Sequence, residues 1–466
     1  MKILNWQTYL TENKELNTAV SILKKIETAG YKAYLVGGFV RDLILNKSSH
    51  DVDIATNMPM EQLSELFITY DIGQSKDFGI VVVKYKEYDF EIAQFRQDNN
   101  YDGRKPESIQ LTKNFKDDVS RRDFTINALG IGSNGNIIDY FNGKSDIENK
   151  VLKTVGDPYK RFQEDFLRML RLARFAAKLN FEIEKNTEIA CKKLSHNIVS
   201  LSVERIQDEL FKAASQSGEK FAKYIITLDK LKLLKYIIPE IVNLKYHVEN
   251  LYHHPETRGH GRTVFSHTMA ALKNSDSKDP IKNIAILLHD TGKGITLSHH
   301  NGLPRYHGHD KASAILIDDI ASRLKFSIKD RNALGFAAKN HMKFHNILKM
   351  KPSKIAKLVS NENWDVLTSV AKADELSRGE DFTYAGSFDI LVNKAIEIKE
   401  KFCNKESNKI KLVDGNDVMK LTGLKPGPLV GKIINEVTEW IIDNNVIDKN
   451  EIEEKIIELG KKLNIT

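Results

Sequence analysis

Apolar residues in the first third of the chain come in short, β-rich runs. AYLV (33–36), IVVVKY (80–85), YDFEIAQF (88–95) and NIIDYF (136–141) alternate with helical patterns and with turns rich in Gly, Asn and Asp. That alternation predicts an α/β domain with a mixed sheet over residues 1–155. From about residue 157 the texture changes. RFQEDFLRMLRLARFAAKLN (161–180) and SVERIQDELFKAAS (202–215) place apolar residues at helical spacing with few strand signals, and Ser202 ahead of Val-Glu-Arg predicts an N-cap. The expected parts are a head over 1–155, an all-α neck and body over 156–250, a His-rich helical domain over 251–380, and a helical tail over 381–466. LTGLKPGPLVGK (421–432) interrupts the tail with a knot of Gly and Pro.

A chain of 466 residues exceeds one comfortable hydrophobic core, so several domains are expected. Hydrophobic content of 41% and charged content of 29% are those of a soluble globular protein. The 70 Lys and Arg against 63 Asp and Glu leave +7, compatible with a polyanionic partner without requiring one. Two cysteines far apart, Cys191 and Cys403, argue against a disulfide scaffold and a cysteine zinc module. The N-terminus, MKILNWQTYLTENKEL, carries charge too early for a signal peptide. No apolar run approaches the roughly 18 residues of a membrane span. A cytoplasmic protein with no membrane association and no obligate protein partner is expected.

Candidate chemistry begins in VGGFVRDLILNKSSHDVDIAT (36–56). If DVDIA (51–55) is a strand, Asp51 and Asp53 project from one face and Val52 points into the core. Two carboxylates there repel unless a cation lies between them, and hard oxygen ligands suit Mg²⁺. Upstream, the strand AYLV ends at Gly37-Gly38 and a helix follows over 39–46. A glycine turn at a helix start presents backbone N–H groups to an anion, and Arg41 on the first turn can reach the same phosphates. Metal, cradle and cation converge on one triphosphate.

The order Gly-Gly-x-Val-Arg-Asp, then Asp-x-Asp, resembles the nucleotidyltransferase superfamily shared with DNA polymerase β. Its class II tRNA nucleotidyltransferase and bacterial poly(A) polymerase branch is the most similar. YDGRKP (101–106) resembles the flexible loop of that branch, RRDFTINAL (121–129) its ribose-recognition motif, EDFLR (164–168) its base-reading motif and SVERIQDEL (202–210) its helix-turn motif. The resemblance implies that Asp51 and Asp53 are catalytic and hold Mg²⁺. It implies that Gly37, Gly38, Arg41, Arg122, Asp123, Asn127, Asp165 and Arg168 bind the nucleotide, with Glu91 a candidate third carboxylate. The implied reaction is in-line attack of a tRNA 3′-hydroxyl on the α-phosphate of CTP or ATP, adding or repairing the terminal CCA without a nucleic acid template. Asp165 and Arg168, three apart on a helix, would share a face. An Asp that accepts and an Arg that donates match cytosine and adenine, whereas uracil and guanine leave groups unpaired at about 1–3 kcal/mol each.

A second constellation lies downstream: His267, His289-Asp290 in LLHDTGKG (287–294), His309 in HGHDKAS (307–313), His341 and Asp374. His289 and Asp290 close the apolar run IAILL, which would set both at a rim facing other helices. Imidazole and carboxylate together suit Mn²⁺, Co²⁺, Ni²⁺ or Fe²⁺ better than a structural zinc. The order His, His-Asp, Asp resembles the HD superfamily of metal-dependent phosphohydrolases. It implies a metal centre built from these six residues, with Lys293 near the phosphate, acting on 2′,3′-cyclic phosphates or phosphomonoesters.

The tail segment VDGNDVMKLTGLKPGPLVGKIINE (413–436) resembles the C-terminal RNA-binding part of many tRNA nucleotidyltransferases, which makes Lys425 and Lys432 candidate phosphate contacts; a helix joint needing Gly and Pro explains it nearly as well. The rival readings are an A-adding-only or CC-adding-only enzyme, a poly(A) polymerase, and a phosphohydrolase or RNA-binding protein with a non-catalytic head.

Overall fold

In the computed structural model the described residues are 6–47, 51–70, 79–101, 106–249, 263–344, 346–377, 385–403, 413–446 and 448–463. The chain forms two compact units, Met1–Ala213 with Lys223–Pro239, and Ala214–Ala222 with Glu240–Thr466. The first unit takes the expected head together with most of the helices expected over 156–250. The second takes the His-rich region and the tail.

Among the described residues eleven strands carry the first unit's sheets: β1 Ala33–Val36, β2 Asp53–Thr56, β3 Ile68–Tyr70, β4 Ile80–Tyr85, β5 Tyr88–Gln94, β6 Arg96–Tyr101, β7 Pro106–Leu111, β8 Leu129–Ile131, β9 Ile137–Asp139, and the short parallel pair β10 Val151–Leu152 and β11 Glu182–Ile183. Seven form a mixed sheet in the order β3-β4-β5-β2-β1-β8-β9, with β6 and β7 pairing separately. Only β2 and β5 run parallel among the paired strands of that sheet. β1 and β4 occupy the runs their β-branched residues predict.

One expectation changes here. β2 begins at Asp53, so Asp51 precedes the strand and is exposed. The reason lies in its neighbour. β1 pairs with β2 only as far as Val36↔Asp53, because Gly37 turns away at φ 76° and leaves residues 51–52 no ladder partner. Val52 is nevertheless buried, as the alternation requires.

The predicted helix over 161–180 is two helices. Pro158–Glu164 starts on the Asp157 side chain, which accepts from Lys160 N, with Pro158 at the first position. It stops at Asp165, whose φ of −154° and ψ of 108° are extended. Leu167–Leu179 then begins, with Asp165 Oδ1 accepting from Leu167 N at 3.0 Å. Aspartate competes for backbone N–H groups in this way, which favours caps over helix interiors. Asp165 and Arg168 therefore do not share one helix face.

In the second unit, Pro280–Leu288 buries every residue from Asn283 to Leu288, so the Ile and Leu run is core on all sides rather than an amphipathic stripe. Gly415–Thr422, Pro428–Asn444 and Lys449–Leu463 form a three-helix tail around Val418, Ile433, Val437, Ile441 and Ile456. Among the described residues no helix is long and apolar enough to cross a membrane.

Candidate active site and a second, histidine-rich centre

A cleft of 630 Å³ opens in the first unit, lined by Gly37, Gly38, Arg41, Asp53, Arg122, Asp123, Asn127, Asp165 and Arg168, among others. Residues far apart in the chain thus meet in one place. The glycine turn comes from the end of β1, Asp53 from the start of β2, and Arg122 to Asn127 from the segment before β8. Asp165 and Arg168 come from the helix break. Breaking the helix does not remove the pair from the cleft; both residues line it, from two elements.

A chain of ion pairs and hydrogen bonds fixes the lining. Asp42 grips Arg41 twice, Oδ1 accepting from Nε at 2.8 Å and Oδ2 from Nη2 at 3.0 Å. Arg41 Nη1 donates to Asn127 Oδ1 at 2.7 Å, and Asn127 Nδ2 donates to Asp123 Oδ1 at 3.0 Å. Asp123 Oδ2 accepts from Arg171 Nε at 2.8 Å. Burial alone would raise the Asp123 carboxyl, but the Arg171 guanidinium and the Asn127 hydrogen bond hold it below the usual carboxylate range. Arg41, Arg171 and Arg174 all approach the Phe175 ring, with guanidinium carbons 5.2, 5.3 and 4.7 Å from its centroid.

Asp53 behaves oppositely. Burial, helped by the charges of Asp51 and of Glu91 on the adjacent β5, pushes its carboxyl up to about 6, with Arg122 opposing. Asp53 thus feels two further carboxylate charges against one guanidinium, an imbalance that a hard divalent cation at its carboxylate would relieve. In the Asp165/Arg168 pair, Arg168 Nη1 donates to Arg161 O at 2.8 Å and also bonds Glu164, while Nη2 donates to Arg121 O at 3.1 Å.

The second unit gathers all six of the predicted metal residues. His267, His289, Asp290, His309, His341 and Asp374 are each buried. They stand inside the fold rather than at a rim. His267 Nε2 lies 2.9 Å from Asp374 Oδ1, and His289 Nε2 lies 3.2 Å from Asp290 Oδ2. His309 Nε2 is 3.3 Å from Asp290 Oδ1 and 3.3 Å from His341 Nε2. The Nδ1 atoms of His289, His309 and His341 each face a backbone carbonyl at 2.7 Å, those of Ile286, Tyr306 and Ala338. Donation from Nδ1 leaves the Nε2 lone pairs directed inward, the arrangement that outer-shell partners give metal-binding imidazoles. His289 Nε2 and Asp290 Oδ1 are buried and make no hydrogen bond, which a cation between them would satisfy. Lys293 Nζ is pinned between Asp290 Oδ2 at 2.8 Å and Glu249 Oε1 at 3.0 Å.

Residues 33–153 match the family model described as the Poly A polymerase head domain, and 180–244 match that of the probable RNA and SrmB-binding site of polymerase A. A curated CCA-adding enzyme of Ligilactobacillus salivarius (strain UCC118) is 30% identical over 461 residues, 96% of this chain and 97% of that protein. The chain belongs to the CCA-adding enzyme family. A CCA-adding enzyme of Lactobacillus helveticus (strain DPC 4571) is 44% identical over 195 residues, 42% of this chain. That match spans 49% of the relative, about half its length. A crystal structure of the Bacillus stearothermophilus CCA-adding enzyme in complex with CTP superposes with a TM-score of 0.70 at 23% identity, covering 97% of this chain and 99% of that one. The likeness shows a common fold.

Within this CCA-adding family member, sequence reasoning placed most of the cleft and missed part of its charge. Arg171 and Arg174 continue the spacing of Arg168 by threes in EDFLRMLRLAR, a signal that was legible as one cationic helix face. Arg205, whose Nη2 reaches Asp165 Oδ2, lies inside SVERIQDEL, but nothing local in that motif names its partner. Glu249 had no sequence signal. The loop residues 102–105 lie outside the described residues. Lys425 and Lys432 are exposed beside the tail's Gly-Pro joint.

Proposed function

We propose that this chain adds the 3′-terminal CCA of tRNA from CTP and ATP. One observation carries the reading: Asp53, the Gly37-Gly38 turn, Arg122-Asp123-Asn127 and the Asp165/Arg168 pair line a single cleft. Asp51 and Asp53, with Glu91 beside them, would hold Mg²⁺, which when bound supplies charge neutralisation at the reacting phosphate and a more acidic hydroxyl. The protein's own part is positioning. Gly37 and Gly38 let the triphosphate approach the backbone, and Arg41, braced by Asp42, faces its charge. Arg122 and Asp123 with Asn127 meet the ribose. Asp165 accepts from the exocyclic amine of cytosine or adenine while Arg168 donates to the adjacent ring nitrogen. The RNA 3′-oxygen forms a bond to the α-phosphorus, the α–β bridge breaks, and pyrophosphate leaves. Exposed Lys425 and Lys432 are proposed phosphate contacts for the tRNA, and the setting is cytoplasmic.

The deciding experiment offers tRNA ending at the discriminator base, at C and at CC, with CTP or ATP separately. Addition of A to CC-ended tRNA alone would reduce the activity to A-addition, and repeated A-addition would favour a poly(A) polymerase. Asp53→Asn should abolish both incorporations; little change would support a non-catalytic head.

A second activity is favoured by the buried, unbonded His289 Nε2 and Asp290 Oδ1: the HD-like centre is a metal-dependent phosphohydrolase taking Mn²⁺, Co²⁺ or Ni²⁺, with Lys293 near the phosphate. Hydrolysis of a 2′,3′-cyclic nucleotide in those metals tests it, and its absence in the wild-type protein would leave the centre structural.

A further inference from the structure

Three residues that line the first unit's cleft, Arg96, Arg121 and Arg122, converge on one carboxylate that the proposed reaction leaves unused, Asp118. It stands on the short helix Phe115–Ser120 and is 1% exposed. A carboxylate that deep is tolerated only where cations and N–H groups surround it. Oδ1 accepts from Arg121 Nε at 3.1 Å, from Arg121 Nη2 at 2.8 Å and from the backbone N of Arg96 at 3.4 Å. Oδ2 makes no hydrogen bond, and Arg122 Nη2 lies 3.7 Å from it. The two oxygens thus serve different arginines.

Arg122 is shared between Asp118 and the cleft. Its Nη1 donates to Asn127 O at 3.3 Å, and its charge opposes the rise of the Asp53 carboxyl. Its Nε is buried and makes no hydrogen bond, so charge rather than a full set of hydrogen bonds holds the guanidinium in place. Burial lowers the Arg122 guanidinium from its ordinary value. Of the carboxylates that oppose burial there, Asp118 acts most strongly, ahead of Asp53 and Asp123. Arg121 has a separate anchor, since its carbonyl accepts from Arg168 Nη2 at 3.1 Å.

We propose that Asp118 is a positioning residue for the nucleotide's ribose, supplying the counter-charge that keeps the Arg122 guanidinium in the cleft. The inference rests on the reading of the cleft as a nucleotide site and deepens it by naming what sets the ribose contact. Asp118 touches neither nucleotide nor metal; it acts through Arg122. A carboxylate that served the fold alone would affect stability and leave the ribose contact as it is.

A double-mutant cycle on the full-length protein separates the two roles. Asp118→Asn keeps the shape and removes the charge. It should weaken CTP binding about tenfold, and dCTP binding by less, because the lost contact is at the ribose. Arg122→Met should do the same. The double variant should bind CTP within about twofold of Arg122→Met, whereas independent effects would multiply to about a hundredfold loss. Equilibrium dialysis with CTP and dCTP, without RNA, reads these affinities, and urea unfolding reads stability separately. Multiplying effects, or unchanged CTP affinity in Asp118→Asn, would overturn the proposal. If Asp118→Asn leaves Arg122 unpaired and does not fold, the double variant, neutral at both positions, is compared with Arg122→Met alone. Equal affinity then supports the proposal and a further tenfold loss overturns it. Wild-type protein that binds CTP but does not add it to tRNA would remove CCA addition and leave this inference standing. No CTP binding by wild type would sink both.

Discussion

Arg205 Nη2 lies 2.8 Å from Asp165 Oδ2, joining the helix that follows Ser202 to the helix break at Asp165, the proposed base reader. With Oδ1 occupied by Leu167 N, the carboxylate is held at both oxygens. The two side chains are 20% and 16% exposed, well inside the range where geometry rather than screening decides the outcome. Arg205 thus fixes the orientation of the Asp165 carboxylate, and in the proposed function it acts as a positioning residue. Arg205→Met should raise KM for both CTP and ATP about tenfold, with a smaller loss in kcat, and should increase UTP incorporation. Arg205→Lys, which keeps one donor, should recover part of the discrimination. Steady-state kinetics on C- and CC-ended tRNA check both. Unchanged selectivity in Arg205→Met would reduce the pair to a brace between helices.

Gly37 allows a prediction about shape. Its φ of 76° and ψ of −145° belong to a region that L side chains avoid. A Cβ there would meet Asp53 Oδ2 at 3.1 Å and Arg122 Nη1 at 3.3 Å. Gly37→Ala should cost about 1–3 kcal/mol of stability. It should also lower kcat/KM for CTP and ATP alike by at least about tenfold, because it displaces the carboxylate proposed to hold Mg²⁺. Urea unfolding and initial rates measure the two effects independently. A stable variant with normal rates would show that the turn's approach to Asp53 is incidental.

The Asp123–Arg171 pair predicts a pH dependence. Asp123 titrates below its ordinary range in the folded protein, so it contributes stability that is complete above the unfolded pKa of about 4 and is lost as pH falls through the lower folded value. Arg171→Leu leaves burial as the dominant influence and pushes the carboxyl up. The stability gap between wild type and variant should then be widest at neutral pH, about 1–3 kcal/mol after discount for the partly exposed guanidinium. It should close as pH drops below about 4. Urea midpoints from pH 7 to pH 3.5 trace it. A gap that does not narrow with acid would mean that Arg171 acts through packing on Phe175.

What could be read from the sequence divides along a physical line. β1, β4 and the Gly-Gly turn were legible because local alternation and glycine's freedom at positive φ determine them. The break at Asp165 was not, because the apolar spacing of 161–180 continues across it and only the Asp165 cap and its long-range partner Arg205 mark the interruption. Asp51 was placed in a strand by its spacing from Asp53, yet strand length depends on the partner, and Gly37 ends the partner at Val36. The six residues of the histidine-rich cluster were brought together by an ordered pattern spread over 108 positions from His267 to Asp374. Their depth was not, since the same apolar run fits a half-exposed helix as well as the fully buried one observed. Asp42 gained a role only from geometry, as the carboxylate that grips Arg41.

His341 separates a metal centre from a cluster of core histidines. Burial, and the neighbouring His289, push its imidazole down to about 3, so it is neutral at physiological pH with Nε2 available as a donor to metal. Its Nδ1 faces Ala338 O at 2.7 Å, which fixes the ring's orientation. Asp374 joins the cluster through His267, its Oδ1 2.9 Å from His267 Nε2. If the centre binds metal, His341→Ala and Asp374→Asn should each lower affinity for Mn²⁺ or Ni²⁺ by at least about tenfold, the scale seen when ligands or their outer-shell partners are lost. Metal content by mass spectrometry after dialysis against a graded chelator measures this without any enzymatic assay. CTP incorporation into tRNA should persist in both variants, since their residues and the cleft that carries Asp53 belong to different compact units. Wild-type protein that retains no divalent metal would identify the six residues as a buried polar network, and His341→Ala would then act on stability alone.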